Sequence, residues 1–466
     1  MALSYDSAKE KLNKMDQIHL LMFWDSLEER QKENLLGQIE TLNEEAFQTM
    51  IGLINDDQSE AQGADIKPAE VVTLSGAEET QARHAGEEAL RAGEVGIVLV
   101  AGGQGTRLGF DGPKGAFPVG PLTNASLFEI HTRKILALER KYDTEIPFYI
   151  MTSLTNDEQT RRFFAEHSYF GLSGDRVKFF KQGMWPALDK DGKVILDRPD
   201  HIFMSPDGHG GVIEALRSNG IFEDMKKHGV ETIFYFQVDN PLVEIADPAF
   251  VGLHRKHDSE MSVKVCAKRD PEEGLGVIAR RDGYNTVVEY TELTEEQKHA
   301  VRPDGRLRFL FGSVAIHIFS LGFLLREAES PMPLHVAHKK VPYCDEHGKT
   351  IKPQEPNACK FEKFIFDILP DAERNLNLEF ARELEFSPVK NASGSDSPET
   401  TRRDMTLKFA GWLDACGVKV PRDETDDLLY KIEIDPCFAL GPEDLKAKLG
   451  KDFEIKGDLL LKNEEN

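Results

Sequence analysis

The sequence predicts an α/β protein with a central, mostly parallel β-sheet, and two observations carry that prediction. From Val95 onward, short apolar runs alternate with amphipathic segments, the pattern of buried strands connected by helices that cover the sheet. The first of these runs, ending Val98-Leu99-Val100-Ala101, empties into Gly102-Gly103-Gln104-Gly105-Thr106-Arg107-Leu108-Gly109. Open α/β sheets bind their ligands at such a place, beyond the carboxyl ends of the strands.

The first ninety or so residues read as helical. Asp25-Ser26-Leu27-Glu28 resembles a capping box, and Leu35, Leu36, Ile39 and Leu42 follow at helical spacing. Asn43-Glu44-Glu45 opens a second helix carrying Phe47, Met50 and Leu53, and the polar stretch from Asp56 to Gly63 reads as a loop. Ala77 to Ala92, rich in Ala, Glu and Arg, is a further helix. Strands are expected at Ile97–Ala101, Phe148–Thr152, Val177–Lys181, Ile233–Val238 and Met261–Ala267. Between them lie helices at Asn156–His167, at Val212–His228 and after the capping box Ser126-Leu127-Phe128-Glu129. Thr286–Tyr290, Leu307–Leu310 and Val314–Phe319 read as further strands, and Asn391 to Thr401 as a loop. The tail has strand character around Leu428–Ile434 and Phe453–Leu461. The expected division is a helical region over 1–92, a central domain over 93–385 and a small β-containing domain over 386–466.

At 466 residues the chain can bury a large core. Its formal net charge of -24 argues against nucleic-acid binding and against anionic membranes. A polyanionic substrate would need locally concentrated cations or a divalent metal. The five cysteines are scattered without a C-x-x-C pair, which fits a reducing compartment and no zinc site. No basic-then-apolar leader and no bilayer-length apolar run is present, so a cytoplasmic location is expected, as a monomer or homo-oligomer.

Three ligand readings of the glycine-rich loop compete with a plain turn. A dinucleotide-binding loop needs G-x-G-x-x-G opening a helix. Here Gly103, Gly105 and Gly109 have the wrong spacing, and Pro113 interrupts a helix. A Walker loop needs G-K-[ST], but Lys114 is followed by Gly115. The remaining reading is a nucleoside triphosphate cradle, with backbone N–H groups near phosphate oxygens and Arg107 and Lys114 supplying charge. Asp239, at the end of the apolar run Phe234-Tyr235-Phe236-Gln237-Val238, is placed to hold Mg²⁺, a hard cation that prefers carboxylate and phosphate oxygens. A turn aspartate before Asn240-Pro241 is the plainer explanation. Asp207-Gly208-His209-Gly210-Gly211 precedes a helix and is equally a ligand loop or a turn with a cap, His209 being either a ligand contact or solvated.

Taken in order, these segments resemble the eukaryotic-type UDP-sugar pyrophosphorylase family, most closely its UDP-N-acetylhexosamine branch. The resemblance also rests on Tyr149-Ile150-Met151-Thr152-Ser153, Tyr169-Phe170-Gly171-Leu172, Gln182-Gly183-Met184 and Ala246-Asp247-Pro248. Val288-Glu289-Tyr290, Phe361 to Asp367 and Glu385-Phe386-Ser387-Pro388-Val389-Lys390-Asn391 complete the set. It covers roughly residues 90 to 400. It implies a nucleotidyltransferase α/β core that joins UTP and a sugar-1-phosphate with the help of Mg²⁺. It further implies that Gly102, Gly103, Gln182 and Gly208 hold uracil. Arg107 and Lys114 would bind the triphosphate, Asp239 the metal, Glu289 sugar hydroxyls and Lys390 the sugar-1-phosphate. The chain departs from the branch where the family's Gly-Asn-Gly-Gly reads Gly208-His209-Gly210-Gly211, and where its later Gly-Asn reads Gly312-Ser313. His209 and Ser313 change the donors and acceptors of the sugar pocket. The expected acceptor is N-acetylglucosamine-1-phosphate, with glucose-1-phosphate or a broad sugar range as the alternative. A nicotinamide-dependent oxidoreductase is disfavoured by the loop spacing, and a non-catalytic binding protein by the intact charged positions.

Overall fold

The computed structural model of the chain describes residues 3–55, 65–450 and 453–463. They form two compact units, each assembled from separated stretches. The smaller takes the described residues within Met1–Gln62, Gln182–Val212 and Pro331–Asp367, and the larger those within Gly63–Lys181, Ile213–Ser330 and Ile368–Asn466.

The larger unit is built on a ten-stranded sheet. Its strands are β1 (Ile66–Pro68), β2 (Val95–Val100), β3 (Phe148–Thr152), β4 (Val177–Lys181), β5 (Thr232–Gln237), β6 (Met261–Ala267), β7 (Val277–Arg281), β8 (Tyr284–Val288), β9 (Phe311–Ser320) and β10 (Asn375–Glu379). The centre is the parallel run β5-β2-β3-β4, in register with Ile97 beside both Phe148 and Phe234. Helix α2 (Leu127–Tyr142) makes the crossover from β2 to β3, and α3 (Asp157–Glu166) that from β3 to β4. Beyond β5, strand β9 pairs antiparallel with β5, β6 and β7, while β7 pairs antiparallel with β8 and β1. Strand β10 returns parallel to β6. The fold is thus the expected α/β class, with a parallel centre and a largely antiparallel extension on one side.

The central strands are buried on both faces. Ile97, Leu99, Phe148, Ile150, Phe234 and Phe236 share one core with Phe128 of α2 and Phe164 of α3. Burying each such side chain contributes about 1.5–3 kcal/mol. Ser126 caps α2 by accepting the Glu129 N–H at 3.1 Å. Two glycines set a close helix crossing in this unit, between α1 (Gly76–Arg91) and α4 (Pro248–Lys256). A Cβ on Gly86 would lie 1.9 Å from the Pro248 carbonyl oxygen, and one on Gly252 would lie 1.7 Å from that of Ala82. Only hydrogen fits there, so backbone packs directly on backbone. Farther along the chain, α5 (Pro398–Ala415) contributes Phe409 and Leu413 to the same core as Ile432 and Ile434. Ile432–Ile434 and Leu459–Leu461 pair as two parallel strands.

In the smaller unit the helices Tyr5–Lys14, Glu29–Thr41 and Glu44–Asn55 bury Leu12, Leu35, Ile39 and Phe47 with Leu188, Val194 and Phe361. Met184–Pro186 pairs with Met204–Pro206, and His335–Lys339 with Ala358–Glu362. Gln38 ties helix to strand by bonding both the N–H and the C=O of Ile202.

Several local expectations need correction. The cap near residue 28 is Glu28 with Gln31, and Trp24–Ser26 is a separate 3-10 turn, because Ser26 bonds back to the Phe23 carbonyl. The helix expected over 212–228 breaks at Gly220, which takes a left-handed conformation between Val212–Ser218 and Ile221–Lys227. Leu307–Leu310 is not a strand; a single bridge joins Val301 and Leu307, and pairing resumes at Phe311. The loop from Asn391 ends at Ser397, where a Ser cap and Pro398 at the first helical position start α5. The loop expected from Asp56 lies outside the described residues. Among the described residues no helix is long and apolar enough to cross a membrane.

Candidate functional site

The glycine-rich loop leaves the carboxyl end of β2 and folds on itself. The Gly105 N–H donates to the Gly112 carbonyl at 2.9 Å, and the Lys114 N–H to the Gly103 carbonyl at 3.1 Å. Short 3-10 turns at Thr106–Leu108 and Lys114–Ala116 carry Arg107 and Lys114. Arg107 and Gly103 are exposed, whereas Lys114 turns inward. The loop is anchored by Asn156, which the sequence reading placed only at a helix start. Its fully buried amide donates to the carbonyls of Ala101 at 2.9 Å and Gly103 at 3.1 Å, and its oxygen accepts the Ser153 N–H. An asparagine can do both because the amide is donor and acceptor at once.

Lys114 meets Asp239 beyond the end of the neighbouring strand β5. The ammonium lies 2.9 Å from Oδ2, with side-chain exposures of 17% and 12%. Burial pushes the Asp239 carboxyl up, but the charges of Lys114 and Lys390 outweigh it and hold the group below the ordinary carboxylate value. The backbone behind Asp239 is fixed by His131 of α2, whose Nε2 bonds the Val238 carbonyl at 2.9 Å. Burial holds that imidazole neutral, its pKa lowered to about 3. Lys390 arrives from a distant segment docked on the same strand end, the Val389 N–H donating to the Asp239 carbonyl at 2.9 Å. Gly103, Lys114, Asp239 and Lys390 are therefore brought together, and the outcome is one ionised carboxylate facing two lysines beside a glycine-rich loop.

Glu289 and Ser313 form another neighbourhood in this unit, around Gly276. The Ser313 N–H donates to the Gly276 carbonyl at 2.9 Å, and a Cβ on Gly276 would sit 3.1 Å from Glu289 Oε1. A third carboxylate group, Glu244, Asp247 and Glu385, has the spacing of a metal cluster. Its centre holds a lysine instead. Lys264, 1% exposed, bonds Asp247 at 2.9 Å and Glu385 at 2.5 Å. Burial alone would lower this lysine, but those two carboxylates hold it above its ordinary value. A cavity of about 840 Å³, walled by Lys134, Leu242, Lys408, Trp412 and Leu440, contains none of the residues expected at the site.

Gln182, Gly208 and His209 belong to the smaller unit, where they lie close together. The Asp207 N–H donates to the Gly183 carbonyl at 3.1 Å, the Lys363 N–H to the Asp207 carbonyl at 2.7 Å and the Gly210 N–H to the Lys363 carbonyl at 2.8 Å. Gly208 has φ +86°, and a Cβ there would lie 2.5 Å from the Lys363 carbonyl oxygen, so glycine is required on both counts. His209 is not a solvated side chain. Its ring stacks on Phe364 with centroids 5.4 Å apart, and its Nδ1 accepts the Ile365 N–H at 3.2 Å. Burial, with His335 as a minor contributor, pushes its pKa down to about 4. The neutral ring then carries its proton on Nε2, as a donor.

Comparison with known proteins identifies a family. A family profile described as UTP–glucose-1-phosphate uridylyltransferase matches residues 44–396. The UDP-N-acetylglucosamine pyrophosphorylase of Saccharomyces cerevisiae is 36% identical over 96% of this chain and 98% of its own length. The human UDP-N-acetylhexosamine pyrophosphorylase-like protein 1 is also 36% identical, over 97% and 96%. The crystal structure of the uridine diphosphate N-acetylglucosamine pyrophosphorylase of Trypanosoma brucei, in complex with inhibitor, aligns with a TM-score of 0.85 at 26% identity, covering 99% of this chain and 98% of that one.

Proposed function

Since the chain belongs to the UTP–glucose-1-phosphate uridylyltransferase family, we propose that it transfers the uridylyl group of UTP to N-acetylglucosamine-1-phosphate, releasing pyrophosphate. The observation that carries this reading is the cluster of Lys114, Asp239 and Lys390 at the strand ends beside the glycine-rich loop. The choice of sugar is supported by relatives of near full-length coverage that are named for N-acetylated hexosamines.

The acceptor phosphate needs no general base, because its second pKa is about 6 and it is largely dianionic at pH 7. The difficulty is holding two polyanions in line. Lys390 draws in the sugar-1-phosphate and offsets repulsion at the attacking oxygen. Arg107 and Lys114 take the charge that develops on the leaving pyrophosphate. Gly102 and Gly103 orient the uracil, while Glu289 and Ser313 face the sugar. Asp239 suits Mg²⁺ because it is a buried carboxylate kept ionised by its neighbours, and such an ion takes one or two protein carboxylates plus substrate phosphates. Bound there, Mg²⁺ would supply charge neutralisation for the phosphates. Asp239 would hold the ion, and Lys114, paired with Asp239 at 2.9 Å, would supply positive charge to the phosphates beside it.

Pyrophosphate release from UTP, measured with the 1-phosphates of N-acetylglucosamine, N-acetylgalactosamine, glucose and galactose, tests this reading. N-Acetylglucosamine-1-phosphate should give the highest kcat/KM. A higher value with glucose-1-phosphate would overturn the sugar, which Ser313 makes the sensitive point. No release with any acceptor would overturn uridylyl transfer.

A further inference from the structure

We propose that Asn240 is a positioning residue for this reaction, holding the loop that carries Lys390 against the strand end that carries Asp239. The inference rests on the proposed role of Lys390. Asn240 follows Asp239 and precedes Pro241, where a turn would account for it. Its buried side chain does more than shape a turn. Nδ2 donates to the Glu385 carbonyl at 2.6 Å, and Oδ1 accepts the Ser387 N–H at 3.1 Å. The same oxygen lies 3.3 Å from the Leu242 N–H. One amide thus holds both ends of a three-residue segment about 145 positions away in sequence.

That segment leads directly to Lys390. Two residues after Ser387, the Val389 N–H donates to the Asp239 carbonyl, and the Lys390 N–H then donates to the Asp396 carbonyl at 2.7 Å. The far side of the segment is secured by α5. Ser387 Oγ donates to Asp404 Oδ2 at 2.6 Å, and Thr401 Oγ1 donates to the Ser387 carbonyl at 3.2 Å. Glu385 is anchored through its carboxylate by the buried Lys264. The backbone from 385 to 390 therefore has few ways to move, and Asn240 ties it to the neighbour of Asp239. Aspartate is nearly isosteric at this position but only accepts, so it would face the Glu385 carbonyl with a second oxygen.

The test is a kinetic cycle of Asn240→Asp and Lys390→Ala, measured with UTP and N-acetylglucosamine-1-phosphate by a radiolabelled assay able to read the slow Lys390→Ala enzyme. Asn240→Asp should lower kcat/KM for the sugar-1-phosphate about 10- to 100-fold, the scale expected of a misplaced catalytic group. KM for UTP should stay within about twofold. In the Lys390→Ala background the same substitution should cost less than about threefold, because its effect runs through Lys390. Equal penalties in both backgrounds would make Asn240 a purely structural residue and overturn the proposal while leaving the role of Lys390 standing. Full activity of Lys390→Ala would instead refute that role, and the proposal with it. If Asn240→Asp does not fold, Asp404→Ala loosens the same segment from α5 and should show the same non-additivity with Lys390→Ala; additivity there overturns the proposal equally.

Discussion

Replacing Lys114 with methionine removes a charge from the site while keeping most of the side-chain volume. At 2.9 Å, and with an effective dielectric constant near 20 for a pair of this burial, the gross attraction to Asp239 is about 6 kcal/mol. Much of that offsets desolvation of the two groups. Breaking a buried pair by removing one partner costs about 3–5 kcal/mol when the other is left alone. Asp239 keeps Lys390 as a second counter-charge, so the loss should sit at the low end, about 3 kcal/mol. The catalytic loss should be at least as large. A preorganised cation at a leaving group is comparable to an oxyanion donor, whose removal lowers turnover about 100- to 1000-fold. The pH dependence separates the two effects. In the native protein Asp239 titrates below its unfolded value, so it contributes stability above pH ~4 that is lost as pH falls through the lower folded pKa. Without Lys114 the larger counter-charge of Asp239 is gone, and the folded pKa rises from its native value. The variant's deficit should then shrink as pH drops from 7 through that raised value. Thermal unfolding from pH 7 down into the carboxylate range, beside pyrophosphate release at pH 7, measures both. A kcat/KM within about threefold of the native enzyme, or a deficit independent of pH, would refute the reasoning.

Asp239→Asn should raise the Mg²⁺ concentration needed for half-maximal activity; an unchanged metal titration would remove this residue as a ligand. Gly252→Ala should destabilise by more than about 4 kcal/mol or prevent soluble expression, since the new methyl would start 1.7 Å from a carbonyl oxygen; a soluble variant with unchanged Tm would contradict the close helix crossing. His209, held neutral with a pKa near 4, takes up a proton on unfolding below pH ~6.5, so stability should fall between pH 6.5 and 4. His209→Asn should reduce that slope in urea titrations at pH 7.5 and 5.5, and an identical slope would argue against a buried, neutral ring.

Local features were legible where their causes are local. Strand β3 carries a nearly continuous apolar run, β4 and β6 carry apolar runs interrupted by lysine, and all three occur where the pattern puts them. Ser126 and Glu129 announce α2 because a cap needs only four residues. Ser397-Pro398 carried an equally local start signal for α5, hidden by the polar company around it. Leu307–Leu310 is apolar enough for a strand, yet a strand exists only with a partner, and the partner edge becomes available at Phe311. At the site, residue types pointed to phosphate chemistry, but the roles of Asn156 and Asn240 were illegible. An asparagine reads as a turn residue until the carbonyls it bonds have been brought to it by the fold.

By itself the amino-acid sequence determined the class of this protein and its nucleotide chemistry. Alternating apolar and amphipathic segments require a covered sheet, and glycines with an arginine and a lysine suit a triphosphate whatever surrounds them. Tertiary structure alone decided that Lys114 pairs with Asp239, that Lys390 joins them, and that Lys264 fills what would otherwise be a carboxylate cluster. The reason is physical. Capping, turn and periodicity preferences act over a few residues. Lys114, Asp239 and Lys390 lie more than a hundred residues apart in sequence, and their charges act on one another only after sheet register and packing have brought those residues together.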